Sequence, residues 1–257
     1  MLVSVIKEIL ESLLRNLRRI PVRSKKYVRD IISALNLDGI SIEENFYTQD
    51  QCADYRQRID AMIASGSSNV WCDEQGSDQR IYFINEVDEL FQDFYQHPKV
   101  RDVLAAYVGT TEPKGMLLAA RIEYVENNLG SGGGWHRDSP FTHQFKAICY
   151  LNDVTSENGP FQYIKQSHRK FKVLKNYFNK TFKPGQYRFS DKDIEGFLNS
   201  NPELHITDNV AKAGTLVFAD TKGIHRGKPL SSGTRYVLFC YFWHNTIPPH
   251  FEALKQK

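Results

Sequence analysis

Residues 133–138 read Gly133-Gly134-Trp135-His136-Arg137-Asp138; His225 follows 87 residues after that Asp, and Arg235 stands ten residues beyond His225. Side chains alternate between the two faces of a β-strand, so this spacing predicts that His136 and Asp138 share one face while Arg137 points away. One extended segment then offers an imidazole and a carboxylate to the same point. A second imidazole, His225 from a distant strand, completes two histidines and one carboxylate. That facial set suits non-haem Fe(II) and leaves coordination positions open for chemistry. The carboxylate offsets one of the metal's two charges, and neutral imidazoles supply the other ligands.

His-x-Asp alone is a weak motif, and its surroundings give it weight. Strand-like apolar runs at residues 116–125, 146–153, 161–164, 214–220 and 236–243 alternate with turn chemistry, notably the glycine-rich 130–134 and the stretch 156–160. Residues 226–234 are rich in turn formers, so the strand carrying Arg235 is expected to return alongside His225 and bring its guanidinium near the metal. A planar guanidinium meets a carboxylate through two charge-assisted hydrogen bonds. Arg235 is therefore suited to hold the far end of a dicarboxylic acid whose other end chelates iron. Taken alone, it reads equally well as a surface ion pair.

The order of motifs from Trp135 to Phe242 is His136-Arg137-Asp138, the run Tyr-Leu-Asn-Asp-Val-Thr-Ser-Glu-Asn-Gly-Pro at 150–160, Gln166-Ser167-His168, then His225 and Arg235. It resembles the phytanoyl-CoA dioxygenase family of Fe(II)- and 2-oxoglutarate-dependent oxygenases over most of residues 40–245. The resemblance implies a mainly β fold with flanking helices around a double-stranded β-helix, the cupin-like jelly roll. It implies iron held by His136, Asp138 and His225, with the C5 carboxylate of 2-oxoglutarate on Arg235. It further implies consumption of O2 and 2-oxoglutarate, release of succinate and CO2, and hydroxylation of a small molecule as the default outcome. Asp138 fits hydroxylation, since halogenating relatives carry a small residue at that position.

Desaturation or cyclisation on the same iron remains open. Two alternatives from other classes are a non-catalytic jelly-roll binding module and a zinc hydrolase on the same triad, and neither needs Arg235. Family members usually read Pro-Gly-Ser-His where this chain has Lys165-Gln166-Ser167-His168, so that turn is expected to be built differently. His168 reads either as a group supporting the ligands or as a structural histidine. His97, His143, His205, His244 and His250 lack ligand-like spacing.

The 257 residues, 41% hydrophobic and 25% charged, are ordinary for one large β-rich domain. A net charge of +3 comes with no nucleic-acid-binding signature. Cys52, Cys72, Cys149 and Cys240 show no framework spacing and read as free thiols. Unpaired cysteines and an oxidisable iron site fit a reducing cytosol, so a cytoplasmic location is expected.

The organisation expected is an amphipathic basic helical segment over 1–35 and an oxygenase domain over 36–250. In the first segment Leu2, Ile6, Ile9, Leu13 and Leu17 recur at helical steps and the opposite faces are rich in Arg and Lys. Two readings compete: a helix packed on the barrel or on a second subunit, and peripheral attachment to an anionic membrane that would make the protein membrane-associated. Helices are expected at 49–63, 87–108 and 191–198. Residues 65–80 are read as an irregular lid. The insertion 169–209 brings aromatic and basic residues that suit an anionic or sugar-like substrate, or simple surface decoration.

Overall fold

The computed structural model describes residues 10, 25–66, 70–109, 114–138, 145–183, 185–243 and 246–256. In chain order these form α1 (Lys26–Asp38), β1 (Ile40–Glu43), α2 (Gln49–Ala64), β2 (Val70–Cys72), β3 (Asp78–Tyr82), α3 (Glu89–Gln96), α4 (Pro98–Val108), β4 (Lys114–Glu123), β5 (Phe145–Tyr150) and β6 (Phe161–Ile164). There follow α5 (Lys170–Phe178), α6 (Asp191–Asn199), β7 (Ile206–Asn209), β8 (Leu216–Asp220), β9 (His225–Gly227), β10 (Thr234–Trp243) and α7 (Pro249–Glu252).

Two antiparallel sheets face each other as a jelly roll. The larger has the order β1-β8-β5-β10-β4-β3-β2 and the smaller β7-β6-β9. The central strands of the large sheet, β8, β5, β10 and β4, are buried on both faces over most of their length, which is why their sequences run almost continuously apolar instead of alternating. In β4, Met116, Leu118, Ala120 and Ile122 face the small sheet and meet Phe161 and Tyr163 of β6. The intervening Leu117 and Ala119 face outward and are covered by helices: Val28, Ile31 and Leu35 of α1, Phe91 and Phe94 of α3, and Val103 and Leu104 of α4. The same parity holds along β10, where Val237 and Phe239 look inward while Leu238, Cys240 and Phe242 look toward the helices. Any polar residue at an inward position therefore faces the cavity between the sheets.

The helix expected at 49–63 is present as α2, opened by a capping box between Thr48 and Gln51. The helical stretch expected at 87–108 is divided into α3 and α4. His97 ends α3 and caps α4, with its Nδ1 accepting the Lys99 N–H at 3.2 Å, and Pro98 at the first helical position cannot continue the preceding turn. Residues 65–80 contain no irregular lid over their described part. β2 and β3 pair there as a hairpin on the edge of the large sheet, and the Asp73 carboxylate accepts the Asp78 N–H across the turn at 3.1 Å. Three- and five-residue strands rich in polar side chains leave almost no periodic signal. The insertion 169–209 carries α6 as expected, and α5 in addition. Helix α1 straddles positions 35 and 36. The expectation for the N-terminal helix falls on residues that, apart from Leu10, lie outside the described ones before Lys25.

A candidate metal centre

His136 does not lie on a regular strand. It forms isolated bridges to His225 and Arg188, so it borders the small sheet beside β9 without a ladder of its own. The backbones of the two histidines exchange hydrogen bonds, N–H to O=C at 2.9 Å in each direction, and the Asp138 N–H donates to Thr221 O at 2.9 Å. The distant histidine is thus locked to the His-x-Asp segment through the main chain. The described part of that segment remains extended enough for the predicted alternation: Arg137 points away, into a third apolar cluster, and is only 2% exposed. Its guanidinium lies against the rings of Phe182 and Phe189, 5.5 and 5.2 Å from their centres.

Both imidazoles are oriented alike. His136 Nδ1 lies 2.9 Å from Gly134 O, and His225 Nδ1 lies 2.9 Å from Gly223 O. Donating Nδ1–H to a carbonyl leaves each Nε2 as a lone-pair donor, the tautomer a metal requires. His225 Nε2 is fully buried with no hydrogen-bond partner. Ligand atoms of His136, Asp138 and His225 all lie within 4.8 Å of one another. A buried, unpartnered imidazole nitrogen aimed at a second imidazole and a carboxylate is what a divalent metal would satisfy, so the residues fit an iron ion. Gly132, at φ +88°, supports the ring from below: a Cβ there would come within 2.5 Å of His136 Cε1.

The electrostatics favour the metal-ready protonation state. Burial holds the His136 pKa down to about 4, with Asp138 opposing part of that effect. Burial and the neighbouring His136 push His225 well below its ordinary value. For Asp138, burial alone would raise the pKa; Lys146 and the two imidazoles outweigh it and hold the carboxyl below its usual range.

These shifts set a pH dependence. Protons should not compete with metal over roughly pH 6 to 8, and affinity should fall only as the pH approaches the depressed imidazole values. Unfolded histidine titrates near 6.5, so as the pH falls from about 6.5 to 4 the unfolded chain gains protons that the native chain refuses. The metal-free protein should therefore lose stability across that window, with the depressed Asp138 acting in the same direction at lower pH. Melting temperature against pH, together with chelator competition for the metal, tests both statements; a metal affinity that falls tenfold between pH 8 and 6 would contradict them.

Lys146 was not singled out from the sequence. Its Nζ sits 2.7 Å from Asp138 Oδ2 and 4.5 Å from the centre of the Tyr241 ring, while Asp138 Oδ1 lies on the other side, 3.8 Å from His136 Nε2. The two carboxylate oxygens thus have separate neighbours. The available signal was parity: Lys146 shares the inward face of β5 with Ile148 and Tyr150.

Arg235 does not return alongside His225. The segment 228–233 carries the chain from the small sheet to the large one, where β10 pairs with β4 and β5, so Arg235 faces the histidines across the cavity. It is 1% exposed and its Nε has no hydrogen-bond partner. Arg80, also missed, lines the same cavity and is held by Asp78, Nε to Oδ1 at 2.9 Å. Arg226 points outward onto Trp135, 4.3 Å from the ring centre. His168 lies outside the cluster, near Asn36 O at 3.3 Å. His143 and His244 are not among the described residues. A cleft of about 430 Å³ adjoins the cavity through Arg80 and Gly132, walled by Trp71 and Asp73 of the hairpin and by Leu129 and Arg188.

A sequence model of the phytanoyl-CoA dioxygenase family matches residues 35–237. No curated protein sequence matches the chain. Among solved structures, EctD from S. alaskensis with bound Fe superposes with a TM-score of 0.65 at 16% identity, over 87% of this chain and 79% of that one. The epimerase SnoN, in complex with Fe3+, α-ketoglutarate and nogalamycin RO, gives 0.62 at 14% identity over 84% and 83%. HygX from Streptomyces hygroscopicus, with nickel and 2-oxoglutarate bound, gives 0.60 at 13% over 83% and 86%. At these identities the likeness speaks to the fold, which is the jelly roll common to all four.

Proposed function

The chain belongs to the phytanoyl-CoA dioxygenase family, the iron- and 2-oxoglutarate-dependent oxygenases, and on that premise we propose that it hydroxylates a small molecule, with His136, Asp138 and His225 as the iron ligands and Arg235 as the anchor of the cosubstrate. The observation that carries the reading is the pair of pre-set imidazoles and the carboxylate meeting within 4.8 Å, on a cavity whose opposite wall is a buried arginine. Iron held by these three residues would supply, with 2-oxoglutarate and dioxygen, the oxidising chemistry for a substrate C–H bond, one oxygen atom of O2 entering succinate as CO2 is released and the other becoming the product hydroxyl.

The chain's own residues prepare that event. His136 and His225 present Nε2 without reorganisation, because their Nδ1 atoms are already committed to carbonyls. Lys146 occupies one oxygen of Asp138 and leaves the other for the metal. Arg235 supplies a planar fork in a nearly water-free wall, where a charge-assisted pair is stronger than in solvent. Ile148, Phe161 and Phe239 supply the apolar part of the cavity wall. The substrate would approach through the cleft beside Trp71.

SnoN is an epimerase, so the oxidative outcome is what the experiment must decide. Turnover under 18O2 with a panel of small polar metabolites should place one labelled oxygen in the product per succinate formed. Stoichiometric succinate with an unlabelled, ring-closed, desaturated or epimerised product would replace hydroxylation by one of those outcomes. No 2-oxoglutarate consumption and no cosubstrate-dependent absorption band with Fe(II) would return the chain to a binding module.

A further inference from the structure

Between Glu157 and Asp191 the chain has no acidic residue, yet it carries eight Lys or Arg between positions 165 and 188. The whole protein has a net charge of only +3, so the rest of the chain is net negative and this segment is a local concentration of positive charge. Within it, α5 is seated firmly on one side. Val173 and Asn176 are buried, Asn176 Nδ2 donates to Lys172 O at 2.7 Å, and Lys172 is paired with Glu203.

The other side is unlike any other surface among the described residues. Phe171 is 78% exposed and Phe178 is 83% exposed, the highest values for large hydrophobic residues among the described ones. Seven residues apart, they lie on one helix face two turns from each other, with exposed Lys175 between them. Neither ring stacks on another aromatic ring among the described residues, and Leu37, 56% exposed, lies at the nearby end of α1, where Arg169 Nη2 donates to its carbonyl at 3.1 Å.

We propose that this face of α5 is a docking surface for an anionic lipid bilayer. A helix lying in the membrane interface buries aromatic and aliphatic side chains below the headgroups and keeps lysines at headgroup level, and the pattern Phe171, Lys175, Phe178 on an acid-free segment supplies both. A second copy of the same face would meet its own positive charge. A nucleic acid offers negative charge but no apolar depth for two rings projecting from a helix. The segment before Lys25 is itself net basic and offers this face no complementary charge.

The test is flotation of the full-length protein with phosphatidylcholine vesicles, with and without phosphatidylglycerol, at low and raised salt. Binding should require the anionic lipid and weaken as salt rises. Phe171→Ser with Phe178→Ser should lower the partition coefficient at least ~10-fold, and Lys175→Glu with Lys180→Glu should lower it and flatten the salt dependence. None of these residues touches the candidate metal centre, so metal binding and 2-oxoglutarate consumption should stay at parental levels. If the phenylalanine pair misfolds, the lysine pair carries the test. Vesicle binding that both pairs leave unchanged would assign any attachment to residues 1–24 and overturn the proposal, as would no binding to anionic vesicles. Binding of a single-stranded oligonucleotide that depends on Phe171 and Phe178, without vesicle binding, would replace lipid by nucleic acid.

Discussion

Asp138→Ala should abolish turnover and also destabilise the protein before any metal is added. The first effect follows from losing one of the three proposed protein ligands. Outer groups that merely orient a ligand are each worth about 10–100-fold in metal affinity or activity, so a ligand itself should cost ~10³-fold or more. The second follows from Lys146, whose ammonium is nearly buried and faces Asp138 Oδ2 at 2.7 Å. Removing one partner of a buried ion pair leaves an uncompensated charge, at a cost of about 3–5 kcal/mol. In a domain of this size that lowers the metal-free melting temperature by roughly 10 °C. Asp138→Ala combined with Lys146→Met should recover most of the melting temperature and none of the turnover. Calorimetry of the metal-free proteins and 2-oxoglutarate consumption read the two effects separately. A single variant as stable as the parent would mean that the pair contributes nothing, and retained turnover with iron still bound would remove Asp138 from the ligand set.

Arg235→Leu should raise the 2-oxoglutarate concentration needed for half-saturation about 100-fold or more while leaving Fe(II) affinity near the parental value. Two charge-assisted hydrogen bonds are lost, each worth about 1.5–3 kcal/mol, in a wall where water cannot replace them. Arg235→Lys keeps the charge without the planar fork and should fall between the two. Anaerobic titration of the Fe(II) protein with 2-oxoglutarate gives the cosubstrate affinity without turnover. An unchanged midpoint in the leucine variant would move the anchor to Arg80 or Lys146, the other cations on the cavity.

What could be read in advance follows the physics of periodicity. The histidines, Asp138 and Arg235 announce themselves because their chemistry depends on residue type and short spacing, and the long apolar strands announce the sheets. Lys146 and Arg80 were overlooked because a single charged residue in or beside an apolar run reads as a strand end, unless it is known which parity faces inward. Tertiary structure decides that: only when β5 is seen between β8 and β10 does position 146 become a cavity position. The hairpin of β2 and β3 was read as a lid for a related reason, since its pairing to β4 is long-range and its composition is polar. Placing Arg235 beside His225 failed on topology. The turn was recognised, but not that it crosses from one sheet to the other.

The arginine in the middle of the His-x-Asp motif has a bearing on how this scaffold tolerates change. Its guanidinium packs against the rings of Phe182 and Phe189, and the Arg137 N–H donates to Tyr187 O at 2.9 Å, all three from the insertion between the sixth and seventh strands. That insertion is therefore no exchangeable cassette. Trimming it, or transplanting it from a relative with a different aromatic spacing, would withdraw the wall against which the His136–Asp138 segment is braced. Recombination among such enzymes should be penalised here, where a change remote from the substrate would surface as poor metal loading.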